Sequence, residues 1–307
     1  MYDLLIVGGG PAGASAAVYA ARKQLRTLMI VDEWGGQSTV SPDIHNWIGT
    51  PSISGADLAT ALKVHVDKSA GEFLEVRSGK RASSVIASEE KVTITLSDGV
   101  VAEGKTMLIT TGSQRRKLEV PGAETYDNKG LTYCATCDGP LYGGTDVAVV
   151  GGGNAAFETA LQLLAYCKTV TLLNRTETFR ADEITVGAAA AHANMRIVKN
   201  AEPIEVVGEK FVTGIKYRDA LSKEETFLPV AGIFVEIGLL PNTSWLGTAV
   251  TLNKIGQVEV DPRTQRTSHP RIWAAGDCTN GLYHQNNIAA GDAVKALEDI
   301  YLQVKKN

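Results

Sequence analysis

The sequence predicts an α/β fold of two three-layer domains, the second inserted into the first. Two observations predict it. A strand, a glycine-rich turn, a helix and a second strand follow one another near the N-terminus, and the same order returns in mid-chain. The chain has 307 residues, which is enough for two domains at roughly 150 residues each.

The first of these units opens the chain. Tyr2 to Val7 is a short apolar run, followed by the turn Gly8 to Gly13. The alanine-rich segment Ala14 to Arg22 is typical of a helix, and Thr27 to Val31 of a strand. Two acidic residues close the unit, Asp32 and Glu33. Strand, glycine turn, helix, strand and acid in this order indicate a Rossmann-like dinucleotide-binding domain.

The second unit repeats the pattern in the middle of the chain. Asp146 to Val150 is apolar and rich in valine, and the turn Gly151 to Ala156 follows it. We predict a helix from there through Tyr166 and a strand over Thr169 to Leu173. Two such units indicate two nucleotide-binding domains rather than a solenoid.

The segments outside the two units indicate where one domain ends and the other begins. Lys91 to Leu96 begins a hairpin with Asp98-Gly99 as its turn, and the apolar run Lys105 to Thr111 ends at a glycine. The polar junction Arg115-Arg116-Lys117 and the turn Pro241-Asn242 mark the two crossings between domains. We therefore predict one domain from residues 1–113 and 245–307, and an inserted domain at residues 114–244.

Composition excludes several classes of protein. Apolar residues make up 44% and charged residues 21%, which argues against disorder. The net charge of -4 gives no electrostatic footprint for nucleic acid or an anionic membrane. Four cysteines argue against a disulphide-rich secreted scaffold. The uncharged stretch Leu4 to Ala21 is broken by Gly8 to Pro11 and has no basic residue before it, so we expect a soluble, cytoplasmic protein.

The first glycine turn has the features of a phosphate-binding loop. Free N–H groups and the dipole at a helix N-terminus attract a pyrophosphate. Gly10 lets the backbone approach the ligand, and Gly13 lets helix and strand pack closely. Asp32 or Glu33 would bond ribose hydroxyls. The alternative is a glycine-rich turn in another kind of α/β fold.

The second glycine turn favours a different nucleotide. Ala156 replaces the last glycine, which the pattern allows. The strand that follows ends in Asn174 rather than an acid, and Arg175 and Arg180 are near. This favours a ribose 2′-phosphate and hence NADPH. The alternative is that the two arginines only form a solvated loop surface.

Cys134 and Cys137 form a CxxC pair between the two glycine turns. This spacing permits a reducible disulphide and lowers a thiol pKa. Asp138 adjoins the pair and would act as a general acid, although an exposed aspartate in a turn is the alternative. A zinc site is not expected, because there is one CxxC and no histidine at ligand spacing. Cys167 is expected to fill the core, and Cys278 either does the same or acts as a third redox thiol.

Two dinucleotide units with a CxxC between their loops resemble the low-molecular-weight thioredoxin reductases. The segments that carry the resemblance are Gly8 to Gly13, Gly35 to Gln37, Asn46-Trp47, Thr111-Gly112, Cys134 to Asp138, Gly151 to Ala156 and Ala274 to Asp277. Two further segments, Gly232 to Trp245 and Gly276 to Thr279, resemble the flavoprotein of the alkyl hydroperoxide reductase system. That flavoprotein has an additional N-terminal thioredoxin-like region. This chain starts at the first glycine loop, so we expect a separate acceptor protein.

The resemblance implies FAD on the first loop, NADPH on the second, a thioredoxin-like acceptor and a homodimer. It also implies that Cys137 faces the flavin and Cys134 attacks the acceptor, with Gln285 near the flavin ring. The residues it assigns to FAD, with those of the first loop, are Gly8, Gly10, Pro11, Ala12, Gly13, Asp32, Glu33, Gly35, Gly36, Gln37, Asn46, Thr111, Gly112, Gly276, Asp277, His284, Gln285 and Asn286. The residues it assigns to NADPH are Gly151, Gly153, Asn154, Ala155, Ala156, Arg175 and Arg180.

Three departures from the family pattern concern the electron donor. The usual His-Arg-Arg is Asn174-Arg175-Thr176, the usual Asp of the second loop is Asn154, and the usual Arg before Gln285 is His284. NADH, ferredoxin or another flavin therefore remain alternative donors. A ferredoxin–NADP reductase of similar fold would not need the CxxC. A redox-sensing module that binds FAD without turnover is the remaining alternative.

Both the nicotinamide and the disulphide must reach one flavin, although the inserted domain carries both. We therefore expect a rigid-body rotation about the two connections, near residues 112–116 and 241–245.

Overall fold

The computed structural model describes residues 1–40, 44, 46–133 and 135–306, without the side chains of residues 40, 136, 137 and 306. The chain divides into two compact units. Unit 1 comprises Met1–Gln114 and Leu240–Asn307, and unit 2 comprises Arg115–Leu239. Strands and helices are numbered along the chain.

Unit 1 contains a mixed sheet. Its strands are β1 (Tyr2–Gly9), β2 (Thr27–Trp34), β3 (Leu74–Ser78), β4 (Ala82–Ala87), β5 (Val92–Leu96), β6 (Val101–Ile109) and β17 (Ile272–Ala274). The order β3-β2-β1-β6 is parallel, and β6-β5-β4 is antiparallel. The second half of β6 pairs with β17 in parallel. The predicted turn at Asp98-Gly99 joins β5 to β6, and Gly99 has φ 83°.

The helices of unit 1 are α1 (Pro11–Arg22), α2 (Gly55–Ala70) and α6 (Asn286–Lys306). Helix α1 begins three residues before the predicted Ala14, because proline is favourable in the first helical turn. Ser54 caps α2 by accepting a hydrogen bond from the N–H of Asp57. Small buried side chains on α1, such as Ala16, Ala17 and Ala20, let it pack closely in a core that includes residues of α6.

Unit 2 has a parallel sheet and a smaller antiparallel one. The parallel strands are β8 (Leu131–Thr132), β9 (Asp146–Val150), β10 (Thr169–Leu173), β11 (Met195–Val198) and β15 (Gly232–Val235), in the order β11-β10-β9-β15-β8. The antiparallel strands are β12 (Ala201–Gly208), β13 (Val212–Asp219) and β14 (Glu225–Pro229). Two short strands, β7 (Ser113–Arg115) and β16 (Leu239–Pro241), lie at the connections between the units.

The helices of unit 2 are α3 (Ala135–Asp138), α4 (Asn154–Leu164) and α5 (Glu183–Ala190). Helix α4 ends two residues before the predicted Tyr166, because the N–H of Tyr166 bonds to the carbonyl of Leu163 in a tighter turn. The core on one face includes Phe157 of α4 and Phe234 of β15, both fully buried. Among the described residues, no helix combines the length and hydropathy needed to cross a bilayer.

Candidate functional site

The first glycine loop joins β1 to α1. Gly8 has φ 128°, a conformation that side chains rarely adopt. A Cβ added at Gly13 would lie 1.9 Å from the carbonyl oxygen of Gly8, so helix and strand touch there. A Cβ added at Gly10, the N-cap of α1, would meet nothing within 4 Å. The N–H groups of Ala12 and Gly13 in the first turn have no carbonyl within the helix to bond, so this open end of α1 suits an anion.

The acids at the end of β2 differ in their surroundings. The Nε of Arg81 lies 2.5 Å from the Oδ2 of Asp32, and both side chains are exposed. Glu33 is exposed and has no side-chain partner in the described part of the chain. Glu33 is therefore the freer of the two carboxylates.

The segment after β2 runs beside the first glycine loop. The N–H of Gly35 donates to the carbonyl of Gly9 at 2.9 Å. A Cβ added at Gly36 would lie 3.7 Å from the Cα of Gly10. The side-chain amide of Gln37 donates to the hydroxyl of Ser113 at 2.8 Å. Gly35 and Gly36 thus lie beside the first glycine loop.

The turn after β17 also comes close to the first glycine loop. Gly276 has φ 78°, and a Cβ added there would lie 3.5 Å from the Cβ of Ala12. Burial raises the pKa of the Asp277 carboxyl above its usual value, and the nearby His284 opposes that rise. A ring nitrogen of His284 lies 2.9 Å from the carbonyl oxygen of Gly281.

Polar side chains tie Gln285 and the first residues of α6 to residues far away in sequence. The amide of Asn46 donates to the side-chain oxygen of Gln285 at 3.0 Å. Asn287 donates to the carbonyl of Asn46 at 2.6 Å, and the hydroxyl of Ser38 donates to Asn286 at 2.8 Å. Ser38 and Asn287 were not among the predicted residues. Each forms a hydrogen bond to a residue that is distant in sequence, and no sequence motif indicates such a bond.

Thr111 and Gly112 follow β6 on the same unit. The hydroxyl of Thr111 donates to the carbonyl of Asn242 at 2.7 Å, and Asn242 returns a bond to the carbonyl of Thr111 at 3.0 Å. Gly112 has φ 61°. Of the residues predicted for FAD, Gly35, Gly36 and Gly276 are thus the ones whose contacts bring them to the first glycine loop and the N-terminus of α1.

The second glycine loop joins β9 to α4. Gly151 has φ 150°, and a Cβ added there would lie 2.2 Å from the carbonyl oxygen of Glu236. A Cβ added at Gly153, the N-cap of α4, would meet nothing within 4 Å. Ala155 is exposed on the first turn of α4, while Ala156 is buried. As at the first loop, one glycine is required by packing and another leaves open space at the helix end.

The loop after β10 folds back on the second glycine loop. The N–H of Arg180 donates to the carbonyl of Gly152 at 2.8 Å, and the N–H of Asp182 donates to the side chain of Asn154 at 2.8 Å. Asn174 is buried and donates to the carbonyls of Thr176 and Thr178 at 2.6 and 3.1 Å. Asn174 therefore shapes this loop rather than projecting from it.

Arg175 and Arg180 are both exposed on this loop. Within the described ranges, neither guanidinium has an ion-pair partner. Two unpaired cations close to an open helix N-terminus are suited to a phosphate.

Three further side chains meet beside the second glycine loop. Glu236 follows β15, and only 13% of its side chain is exposed. Its carboxylate accepts hydrogen bonds from Arg115 at 2.9 and 3.1 Å and from the hydroxyl of Thr159 on α4 at 3.1 Å. Burial is the main influence on Glu236 and raises the pKa of its carboxyl, against the opposing effect of Arg115. The sequence did not predict this cluster, because its members are far apart in the chain and match no motif.

A family model matches nearly the whole chain. The model named Pyridine nucleotide-disulphide oxidoreductase covers residues 2–293. The chain belongs to this family. The family resemblance expected from the sequence is confirmed, and so is the two-domain α/β fold. Within that family, the chain is similar to thioredoxin reductases and to the alkyl hydroperoxide reductase F protein.

Individual relatives are similar over the full length of this chain or nearly so. The alkyl hydroperoxide reductase F protein of Staphylococcus aureus is 42% identical over 306 residues, which cover 100% of this chain and 60% of that protein. The thioredoxin reductase of Lactococcus lactis matches with a TM-score of 0.86 and 30% identity over 100% of both chains. That of T. acidophilum matches with a TM-score of 0.81 and 35% identity over 98% of both. The chain thus spans about 60% of the reductase F relative and the whole, or nearly the whole, of these two thioredoxin reductases.

The CxxC pair lies partly outside the described residues. Cys134 is outside them, and so is the side chain of Cys137. Asp138 ends the short helix α3, and its carboxylate accepts a hydrogen bond from the hydroxyl of Thr132, the last residue of β8. The catalytic roles of the pair and of Asp138 remain predictions.

The other two cysteines are buried. Cys167 is 5% exposed and Cys278 is 0% exposed. Burial raises the pKa of each thiol to about 11. A buried thiol that stays protonated is unreactive, so the packing interpretation of both residues is favoured over a third redox thiol.

Proposed function

We propose that the chain reduces the disulphide of a thioredoxin-like protein through Cys134 and Cys137, with FAD on the first glycine loop and NADPH on the second. The observation that carries the proposal is that each unit has a glycine loop with an open helix N-terminus. A CxxC accompanies these two loops in a chain of a pyridine nucleotide-disulphide family.

The residues of unit 1 fit FAD. Gly10 leaves room in front of α1, where an added Cβ would occupy space that a pyrophosphate needs. The N–H groups of Ala12 and Gly13 would bind that pyrophosphate. Glu33 is the freer acid and would bond the ribose hydroxyls, whereas Asp32 already pairs with Arg81. Gln285, joined to Asn46, would lie toward the flavin ring.

The residues of unit 2 fit a pyridine nucleotide. Gly153 leaves the N-terminus of α4 open, and Ala155 contributes an N–H group of its first turn, whereas the N–H of Ala156 already bonds to the carbonyl of Gly153. Arg175 and Arg180 would pair with a ribose 2′-phosphate, which favours NADPH over NADH. Asn154 would act indirectly, since its side chain accepts a hydrogen bond from the backbone after Arg180.

The chemistry is divided between the cofactor and the protein. When bound, the flavin supplies the two-electron exchange between a nicotinamide and a disulphide. In the reduced protein the Cys134 thiolate would attack a sulfur of the acceptor disulphide and form a mixed disulphide, while the other acceptor sulfur leaves as a thiolate. Cys137 would then displace the acceptor by attacking Cys134. The acceptor departs as a dithiol and the Cys134–Cys137 disulphide is re-formed.

Asp138, after taking up a proton from solvent, would supply that proton to the departing thiolate. Its carboxylate adjoins Cys137 in sequence and is held by Thr132, which restricts where the proton is presented. An acid held in place transfers a proton more efficiently than a freely rotating one.

The similarity to the alkyl hydroperoxide reductase F protein supports a second acceptor of the same chemistry. The chain is 42% identical to that protein. A disulphide in a peroxide-reducing partner would be reduced by the same exchange at Cys134.

The experiment compares turnover of purified variants with NADPH and NADH, using thioredoxin and a hydroperoxide-reducing protein as alternative acceptors. Cys134→Ser and Cys137→Ser are each expected to abolish acceptor reduction while the protein keeps its yellow colour. Cys167→Ser is the matched control, because that thiol is buried away from exchange. Acceptor reduction by Cys134→Ser at the wild-type rate would refute the proposal.

A further inference from the structure

The cluster of Arg115, Glu236 and Thr159 lies near β9, the strand of unit 2 at which the order of the parallel strands reverses. From β9 the chain passes through α4 to β10 on one side, whereas β15 pairs with β9 on the other. Open α/β sheets bind ligands in the crevice outside the carboxyl ends of the strands at such a point. Glu236 directly follows β15, and its carbonyl oxygen touches the glycine loop at Gly151. The cluster therefore borders the crevice.

Only part of the Arg115 guanidinium is hydrogen-bonded to Glu236. Its Nη1 donates to both oxygens of Glu236, and 35% of its side chain is exposed. Its Nε and Nη2 have no acceptor among the residues that the structure describes. A guanidinium has five N–H donors in a fixed fork, so one edge is anchored and the other is available. A free guanidinium edge is suited to a phosphate oxygen.

The position of Arg115 in the crevice indicates which phosphate of a dinucleotide it would bind. In this kind of fold the adenosine ribose lies near the end of the strand after the first helix, which here is β10. The pyrophosphate lies at the N-terminus of α4, and the rest of the dinucleotide extends across toward β15. Arg115 lies on the β15 side, opposite Arg175 and Arg180.

We propose that Arg115 binds the nicotinamide-side phosphate of the pyridine nucleotide, and that Glu236 is a positioning residue that orients its guanidinium. This proposal rests on the pyridine nucleotide assigned above to the second loop. Thr159 bonds the same carboxylate and so fixes Glu236 to α4, the helix that would bind the pyrophosphate. The cluster would serve NADPH and NADH equally, because both carry this phosphate.

Calorimetric titration of the FAD-loaded protein with two probes tests the proposal. NADP⁺ carries the nicotinamide-side phosphate, and adenosine 2′,5′-bisphosphate lacks it. Arg115→Met is expected to weaken NADP⁺ binding by about tenfold or more and to change adenosine bisphosphate binding by less than about twofold. Glu236→Gln is expected to weaken NADP⁺ selectively as well, by a smaller factor. Arg218→Met, which breaks an exposed ion pair with Glu225, is the control and should change neither.

The outcomes separate this proposal from the proposed function. If Arg115→Met binds NADP⁺ as tightly as wild type, or loses both probes equally, the assignment of Arg115 is wrong while the nucleotide site stands. If the wild-type protein binds neither probe, the pyridine nucleotide assignment fails, and this proposal fails with it.

Discussion

Replacing Gly10 and Gly13 separately by alanine tests the first glycine loop, because the two positions have opposite surroundings. At Gly13 the new Cβ would lie 1.9 Å from the carbonyl oxygen of Gly8 and 2.9 Å from the hydroxyl of Thr110. Overpacking of this kind costs about 3 kcal/mol. The gain in helix propensity returns about 1 kcal/mol. We therefore expect Gly13→Ala to lower the free energy of unfolding by about 2 kcal/mol.

At Gly10 the balance is different. The new methyl group meets nothing within 4 Å, and φ is −79°, which alanine adopts readily. The loss of a favourable N-cap residue and the lower entropy of the unfolded chain are each below about 1 kcal/mol and opposed in sign. We expect unchanged stability but FAD binding at least about tenfold weaker, because the methyl group occupies the space needed by the pyrophosphate.

The assay has two parts. Urea unfolding of the flavin-free protein, followed by far-ultraviolet circular dichroism, gives the free energy of unfolding. Flavin absorbance after reconstitution, with titration of FAD into the flavin-free protein, gives affinity. Gly10→Ala that binds FAD as tightly as wild type, or Gly13→Ala of wild-type stability, would contradict the account of this loop.

Three other predictions concern unit 2 and the buried thiols. Gly153→Ala should retain FAD but weaken NADP⁺ binding in calorimetry, since its Cβ would enter the open end of α4. Glu236→Gln should lower the free energy of unfolding by about 1–2 kcal/mol, because it leaves the half-buried guanidinium of Arg115 without its carboxylate. Glu225→Gln, which breaks the exposed pair with Arg218, should change that free energy by less than about 0.5 kcal/mol. Equal effects of the two substitutions would count against the buried cluster. Cys167 and Cys278 should resist alkylation in the native protein, as read by mass spectrometry, and become labelled on unfolding. Their folded pKa of about 11 exceeds the ordinary thiol pKa of 9.0, so their contribution to stability is complete below pH 9 and is lost as the pH rises through 11; Cys278→Ala should flatten that alkaline loss in urea unfolding.

The two dinucleotide-binding units were predictable because their strands, turns and helices follow one another directly in the sequence. The strand, glycine turn and helix at residues 2–22 are contiguous in sequence, and Gly8 and Gly13 are required by their own contact. The same holds for the second unit around Gly151. Element ends were less predictable: α4 stops at Leu164 because its last turn tightens, which the alanine and leucine pattern does not specify.

Long-range side-chain partners were not predictable in the same way. Arg81 is separated from Asp32 by 49 positions and Arg115 from Glu236 by 121, and no local pattern links either pair. Asn174 was recognised as a departure from an acid, but its use in holding the carbonyls of two threonines depends on the three-dimensional loop. A charged residue in a sequence can bind a ligand. Only the structure shows whether another side chain already pairs with it, as Arg81 does with Asp32.

The central claim is that a flavin exchanges electrons with both a pyridine nucleotide and the Cys134–Cys137 disulphide. Anaerobic titration of the oxidised protein with NADPH, following the flavin absorbance, tests it most directly. A flavin and a disulphide each accept two electrons, so the wild-type protein should consume about two equivalents per chain before it is fully reduced, and Cys137→Ser about one. Equal consumption by both proteins, or a flavin that neither NADPH nor NADH bleaches, would contradict the account.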